Sequence, residues 1–523
     1  MSVVPLYEHD HLCAHVISKN AALYKNRTAV VCGASRLTWQ ELDLKTNRVA
    51  NALLGLGLRK GDKVCTFMPN SIEAFLLFWG AIKAGCVIVP LNVMLDASTL
   101  ARLTVASDGV IFFAAPETMS TVAEARSLIS SINEGRYYLS GDAQSGWKSL
   151  EMFVGEASDA PPAVSLSPED TMTVIYTSGT TGTPKGIEHS HFGRLNYCYG
   201  FGAGLGINRY SVAVCATPIY ASGTWITMLP TMYYGGKVVL LPKFSPEIFL
   251  AAVAEEGGTH TFMVPTQYIA ILQAPQDARS SDSLQVMVSA GQLLSPVTRK
   301  ALATKFTQSA LYEVYGMTEG FFTIAIPKDR ESGKDNTVGK PGFLEDIRIV
   351  GDSDEELAVG EIGEIVAYGA GMMKGYYNRP DLTSETVWQA PSGRTYLRSG
   401  DLGHVDEDGF LYVNGRKKDM IKSGGINIFA VDIEDELMKH SAVSEVAVIG
   451  RHDPKWGETP IGIVILKSGS AVTPEELKVW VNERVAKYQR LTDLIVLEDF
   501  PRATYGKIQK EALRKIYSGE PIA

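Results

Sequence analysis

Basic charge, paired cysteines and an unbroken apolar run are all scarce in this chain of 523 residues. Its formal net charge is −9 with no dense basic patch, which argues against a nucleic-acid partner. The six cysteines (13, 32, 65, 86, 198 and 215) include no Cys-x-x-Cys pair and sit mostly in apolar surroundings. They read as buried thiols in a reducing compartment, not as a disulfide framework. His9, His11, Cys13 and His15 alternate near the start, but the pattern reads as the polar opening of a helix in preference to a metal site. The most apolar stretch, Ala74 to Leu91, is broken by Lys83, Gly85 and Pro90. It is expected to be a buried helix running into a strand, not a membrane span. Met1 to Leu6 is neither basic nor followed by an apolar core, so no signal peptide is expected. A cytoplasmic monomer or homodimer without an integral membrane segment is the resulting expectation.

What is present is an ordinary globular composition, 45% apolar and 20% charged, at a length that allows a large core plus a satellite. From about residue 38 helical and strand patterns alternate. Thr38-Trp-Gln-Glu41 is a capping box, and Ser245-Pro246 and Ser295-Pro296 each pair an N-cap serine with a first-turn proline. Such alternation predicts parallel sheets with helices on their faces. After about Val338 short strands and Gly-Asp or Asp-Gly turns predict a small β-rich subdomain to about Asn414. Beyond Lys418 follows a compact α+β unit. The predicted fold is thus α/β, with a large N-terminal domain (1–417) and a small mobile C-terminal domain (418–523). Pro161-Pro162 reads as a surface linker between subdomains, and Gly202-Ala-Gly204-Leu-Gly206 as a bend in or after a helix.

The most chemical segment is Tyr176-Thr177-Ser178-Gly179-Thr180-Thr181-Gly182-Thr183-Pro184-Lys185-Gly186. Glycines let successive N–H groups converge on an anion, hydroxyls add donors and the lysine adds charge, so the natural guest is a polyphosphate. A strand leads in, and a helix from about His189 is expected to lead out. Pro184 stands where a Walker loop needs its second glycine, so this is not that motif.

The run resembles the phosphate loop of the acyl-adenylate-forming superfamily, which holds acyl-CoA synthetases, adenylation domains and luciferases. Three further segments resemble it in the same order, and a fourth near the end completes the set. In Tyr315-Gly316-Met317-Thr318-Glu319-Gly320 the resemblance implies adenine stacking by Tyr315, a phosphate contact by Thr318 and a Mg²⁺ ligand in Glu319. In Tyr396-Leu-Arg-Ser-Gly-Asp401 it gives the ribose hydroxyls to Asp401. Across Gly415 to Ile428 it implies a ribose contact at Arg416, a hinge at Lys418 and a thiol-acceptor channel lined by Gly424 and Gly425. In Pro501 to Lys510 it implies that Lys507 bridges the carboxylate and the α-phosphate.

By alignment to the same segments, Ala290 and Gly291 belong to the nucleotide and acid site. The acid pocket is implied at Tyr220, Ser222, Gly223, Gly316, Met317 and Phe321. Ala221 departs from the family, in which many ligases carry a histidine beside the aromatic. No carboxylate occurs from Thr217 to Trp225, which weighs against an amino-acid substrate. The uncharged pocket favours a fatty or aromatic monocarboxylic acid. The implied activity is acid–CoA ligation with ATP, Mg²⁺ and coenzyme A. The alternatives are an adenylation enzyme that loads a carrier protein, and a nucleotide-binding homologue without chemistry.

Overall fold

Thr38 opens the first long helix, Trp39–Gly55, and its hydroxyl accepts from the Glu41 N–H while the Glu41 carboxylate takes the Thr38 N–H. Ser245 and Ser295 cap Pro246–Glu256 and Pro296–Lys305 in the same local fashion. These caps fix where helices begin, and the strands between them assemble the layers. The computed structural model describes residues 12–144, 146–177, 185–274, 281–502 and 508–519.

The described residues fall into two compact units, the first within 1–335, 339–346 and 368–385, the second within 336–338, 347–367 and 386–523. The first holds two large sheets. One is nine-stranded, with Thr28–Cys32, Lys237–Leu240, Val212–Cys215, His260–Met263, Val286–Ala290 and Ala310–Gly316 adjacent and parallel. Antiparallel strands close both its edges. The other is eight-stranded, with Thr171–Thr177, Val87–Pro90, Lys63–Phe67 and Gly109–Ala114 parallel at its centre. The near-continuous burial of these strands is what a parallel sheet covered by helices demands. The predicted α/β class therefore holds.

The second unit carries antiparallel strands Gly363–Gly369, Thr395–Val405, Val387–Gln389 and Leu411–Arg416, which is the expected β-rich region. It continues into an α+β arrangement in which Val443–Asp453 and Gly457–Leu466 pair in a long hairpin. Helices Ala430–Met438, Pro474–Asn482 and Lys510–Tyr517 accompany that sheet. Among the described residues no helix is long and apolar enough to cross a membrane.

Pro161 is exposed, as a surface linker should be, and the residues before it are fastened: Asn51 Nδ2 donates to the Ser158 and Ala160 carbonyls at 2.8 and 2.9 Å, and Asn47 Nδ2 to the Asp159 carbonyl at 3.0 Å. The glycines from 202 lie mostly inside helix His191–Leu205, where a Cβ on Gly202 would stand 2.3 Å from Tyr234 and one on Gly204 2.6 Å from Ile324. Close packing needs them there. Only Gly206, at φ 66°, ends the helix.

Glu345 introduces a pH dependence. Burial pushes its carboxyl up from 4.5 to about 8, and Oε2 is buried with no hydrogen-bond partner among the described residues. The unfolded chain gives up this proton near pH 4.5 while the folded chain keeps it, so stability should fall as pH rises from about 4.5 to about 8. Glu345→Gln is expected to flatten the melting-temperature profile across that window. An unchanged slope in thermal melts would refute the assignment.

Candidate active site

The segment expected to hold polyphosphate begins and ends in two strands. Thr171–Thr177 and Lys185–Ser190 pair antiparallel, with Thr177 opposite Lys185. The expected strand–loop–helix order is therefore corrected to a hairpin, and the helix starts later, at His191. Its first-turn Gly193 N–H is already taken by Ser190 Oγ at 3.1 Å. Ser178, Gly179, Thr180, Thr181 and Gly182 lie outside the described residues.

From the stem a chain of side chains runs to the second motif. The Lys185 ammonium sits 4.8 Å from the centre of the Tyr376 ring, and the Tyr376 hydroxyl donates to Glu319 Oε1 at 2.8 Å. Burial and then the Glu319 charge hold that phenol well above its ordinary range, so it stays a donor. The position of Tyr376 one residue after Gly375 carried no signal of this contact.

Tyr315 and Gly316 end the strand Ala310–Gly316, at the C-terminal edge of a parallel sheet. Glu313 on that strand is buried and receives Arg299 Nη1 at 3.3 Å, Arg330 Nη2 and the Leu294 N–H at 3.0 Å. Breaking such a buried cluster costs more than an exposed pair would, so it anchors the strand that carries the motif. Beyond the strand the chain turns tightly, with the Met317 N–H on the Phe321 carbonyl and the Met373 N–H on the Glu319 carbonyl. A Cβ on Gly316 would meet the Phe321 carbonyl oxygen at 2.3 Å. Tyr315 and Phe321 meet edge to face at 5.9 Å.

Thr318 joins this turn to the loop on which the resemblance places the acid pocket, since its hydroxyl lies 3.0 Å from Ser222 Oγ. His189 Nε2 donates to the Thr318 carbonyl at 2.8 Å, and burial together with the Arg194 charge keeps the ring neutral. Tyr220 is buried, and a Cβ on Gly223 would strike Phe262 at 2.6 Å. Ala290 ends the neighbouring strand Val286–Ala290, and Gly291 turns away at φ 89°. The first unit thus brings together Lys185, Glu319, Thr318 and the Ser222 loop.

In the second unit Asp401, mostly buried, accepts from Arg416 Nε at 2.8 Å, and the two residues are cross-strand partners. Lys418 sits in the short turn Lys417–Asp419, whose Asp419 takes Arg514 Nη2 at 2.6 Å. Gly424 and Gly425, at φ 57° and 84°, form the two-residue turn between Ile421–Ser423 and Ile426–Ile428. Positive φ at both positions is what such a hairpin turn requires, so their type is explained locally. Lys507 lies outside the described residues.

Among the described residues no three His, Cys, Asp or Glu side chains cluster as a metal cage. A lone carboxylate such as Glu319 fits Mg²⁺, a hard ion that draws most of its oxygens from phosphate and water.

Residues 17–377 match the AMP-binding enzyme family and residues 432–507 the AMP-binding enzyme C-terminal domain. The chain belongs to this family, in its acyl-CoA synthetase branch. It is 34% identical over 507 residues to a feruloyl-CoA synthase of Amycolatopsis sp, covering 95% of this chain and 97% of that one. With a 2-succinylbenzoate–CoA ligase of Bacillus cereus (strain Q1) it shares 31% identity over 502 residues, or 96% and 98% of the two chains. The solved structure of anthranilate CoA ligase AuaEII in complex with anthranoyl-AMP matches with a TM-score of 0.88 at 26% identity, covering 98% of each chain.

Proposed function

We propose that this enzyme ligates a carboxylic acid of aromatic or fatty type to coenzyme A in two half-reactions. A carboxylate oxygen attacks the α-phosphorus of ATP, the bond to the β-phosphate oxygen breaks, and pyrophosphate leaves. The CoA thiolate then attacks the acyl carbon of the adenylate, and AMP departs with the C–O electron pair. The observation that carries this reading is the contact chain from Lys185 through Tyr376 to Glu319, with Thr318 beside Ser222. It sets the Lys185 ammonium, the Glu319 carboxylate and the Ser222 hydroxyl along one run of side chains, which supports a phosphate site beside an acid pocket.

In this reading Thr318, Lys185 and the hydroxyls of the intervening loop bind phosphate, and Tyr315 with Ala290 and Gly291 frames the adenine. Glu319 would ligate Mg²⁺, whose charge when bound offsets that of the phosphates. Asp401 and Arg416 take the ribose, and Lys507 neutralises charge between the two reacting anions. The C-terminal domain turns about Lys418 between steps, and Gly424 and Gly425 then line the thiol path. Relatives named for feruloyl, succinylbenzoate and anthranilate substrates favour an aromatic acid.

A panel of fatty and aromatic acids with ATP, Mg²⁺ and CoA should release AMP and pyrophosphate with at least one acid. Absence of turnover with every acid, despite ATP binding, would sink the ligase reading. Pyrophosphate release without CoA consumption would redirect it to a carrier protein.

A further inference from the structure

The return strand Lys185–Ser190 presents its side chains alternately to two faces, so Lys185, Ile187 and His189 share one of them. The short strand Gly375–Tyr376 pairs with it antiparallel and sets Tyr376 opposite Ile187, on that same face. The Lys374 N–H on the Glu188 carbonyl and the Tyr377 N–H on the Gly186 carbonyl, both at 2.7 Å, extend the pairing on either side. Main-chain bonds therefore fix Tyr376 before its side chain makes any contact.

The turn after strand Ala310–Gly316 is held from this face at two successive residues. His189 Nε2 takes the Thr318 carbonyl at 2.8 Å, and the Tyr376 hydroxyl takes Glu319 Oε1 at 2.8 Å. The Met373 N–H, three residues before Tyr376, adds a bond to the Glu319 carbonyl at 2.7 Å. The donor on Oε1 is a side chain only 6% exposed, with the Lys185 ammonium bracing its ring, whereas among the described residues no hydrogen bond reaches Oε2. A glutamate has three side-chain torsions to sample, and a bond from a rigid partner removes most of that freedom. One oxygen is thus committed and the other left for a hard cation, as is usual for carboxylates that ligate metals.

We propose that Tyr376 is a positioning residue for adenylation, whose hydroxyl orients the Glu319 carboxylate toward the metal ion that accompanies ATP. The inference rests on the ligase reading, in which Glu319 is the Mg²⁺ ligand, and adds the residue through which that ligand is held.

Tyr376→Phe tests it, because it removes the hydroxyl and keeps the ring beside Lys185. With an acid that turns over in the panel above, the Mg²⁺ concentration that half-saturates ATP–pyrophosphate exchange should rise about 10- to 100-fold, the usual cost of losing an outer partner of a metal ligand. Titration calorimetry of ATP with Mg²⁺ or with EDTA should show the tightening by metal largely lost, and metal-free binding within a few-fold of wild type. The KM for the acid should be unchanged. Tyr377→Phe is the control: its hydroxyl donates to Asp108 Oδ2 at 2.8 Å on the opposite face, and its loss should leave the Mg²⁺ requirement as in the wild type. In a Glu319→Gln background Tyr376→Phe should shift that requirement no further, since its effect passes through the carboxylate. A lowered melting temperature with an unshifted Mg²⁺ requirement would mark a merely structural tyrosine and overturn the proposal. An equal shift in Tyr377→Phe, or a further shift on top of Glu319→Gln, would overturn it as well, and each of these leaves the ligase reading standing. A wild-type Mg²⁺ requirement in Glu319→Gln would remove the metal ligand itself and the proposal with it. Should no acid turn over, the ligase reading fails and the calorimetric comparison alone decides the role of Tyr376.

Discussion

Lys507→Ala is expected to slow acyl-adenylate formation by about a hundredfold or more, while thioester formation from supplied acyl-adenylate stays within a few-fold of wild type. The first step drives one anion onto another. A carboxylate approaches a phosphorus ringed by negative oxygens, and a fixed cation between them acts chiefly as the barrier is crossed. The second step has no such collision, because the adenylate is already a neutral acyl donor at the carbon attacked. ATP–pyrophosphate exchange reports the first step and CoA consumption from synthetic adenylate the second. Equal loss in both would remove the division of labour assigned to the C-terminal domain.

Gly320→Ala should cost about as much by a different route. At φ 130° its added Cβ would lie 2.4 Å from Met372 Cα and 2.6 Å from the Gly371 carbonyl oxygen. Backbone cannot swing aside as a side-chain tip can, so the turn bearing Thr318 and Glu319 must move. A displacement near 1 Å at reacting groups costs on the order of 10²-fold, and adenylation should fall by about that factor. Gly393→Ala is the control, with φ 83° and open space around the site of the new Cβ. It bears only the strain of a left-handed alanine, about 1–2 kcal/mol, and should lower the melting temperature with activity intact. If both substitutions leave adenylation unchanged, the tight turn is not what positions Glu319.

Local signals carried most of the architecture. The capping box at Thr38 and the two Ser-Pro starts were legible because a cap is written within four residues. The motif at Tyr315 was legible because strand ends in parallel sheets are where ligands are met. The return strand Lys185–Ser190 was hidden, since a six-residue run ending in Glu-His-Ser has little apolar alternation and a helix follows at once. Tyr376 was hidden for another reason. Its significance lies in Lys185 and Glu319, which face it from distant parts of the chain, and no periodicity encodes such a partner.

The hairpin stem has a consequence for how this site can change. Thr177 and Lys185 stand opposite each other, so the segment between them leaves and rejoins the sheet at one place. Lengthening a segment with fixed, adjacent ends costs little closure entropy. An insertion there should therefore leave the eight-stranded sheet undisturbed, at the expense of the phosphate contacts assigned to its hydroxyls. The stem has no such latitude. A slip of one residue would turn Lys185 to the opposite face and strip Tyr376 of its cation. Insertions between 178 and 184 should accordingly spare folding while impairing ATP use, and insertions on either side should be rejected.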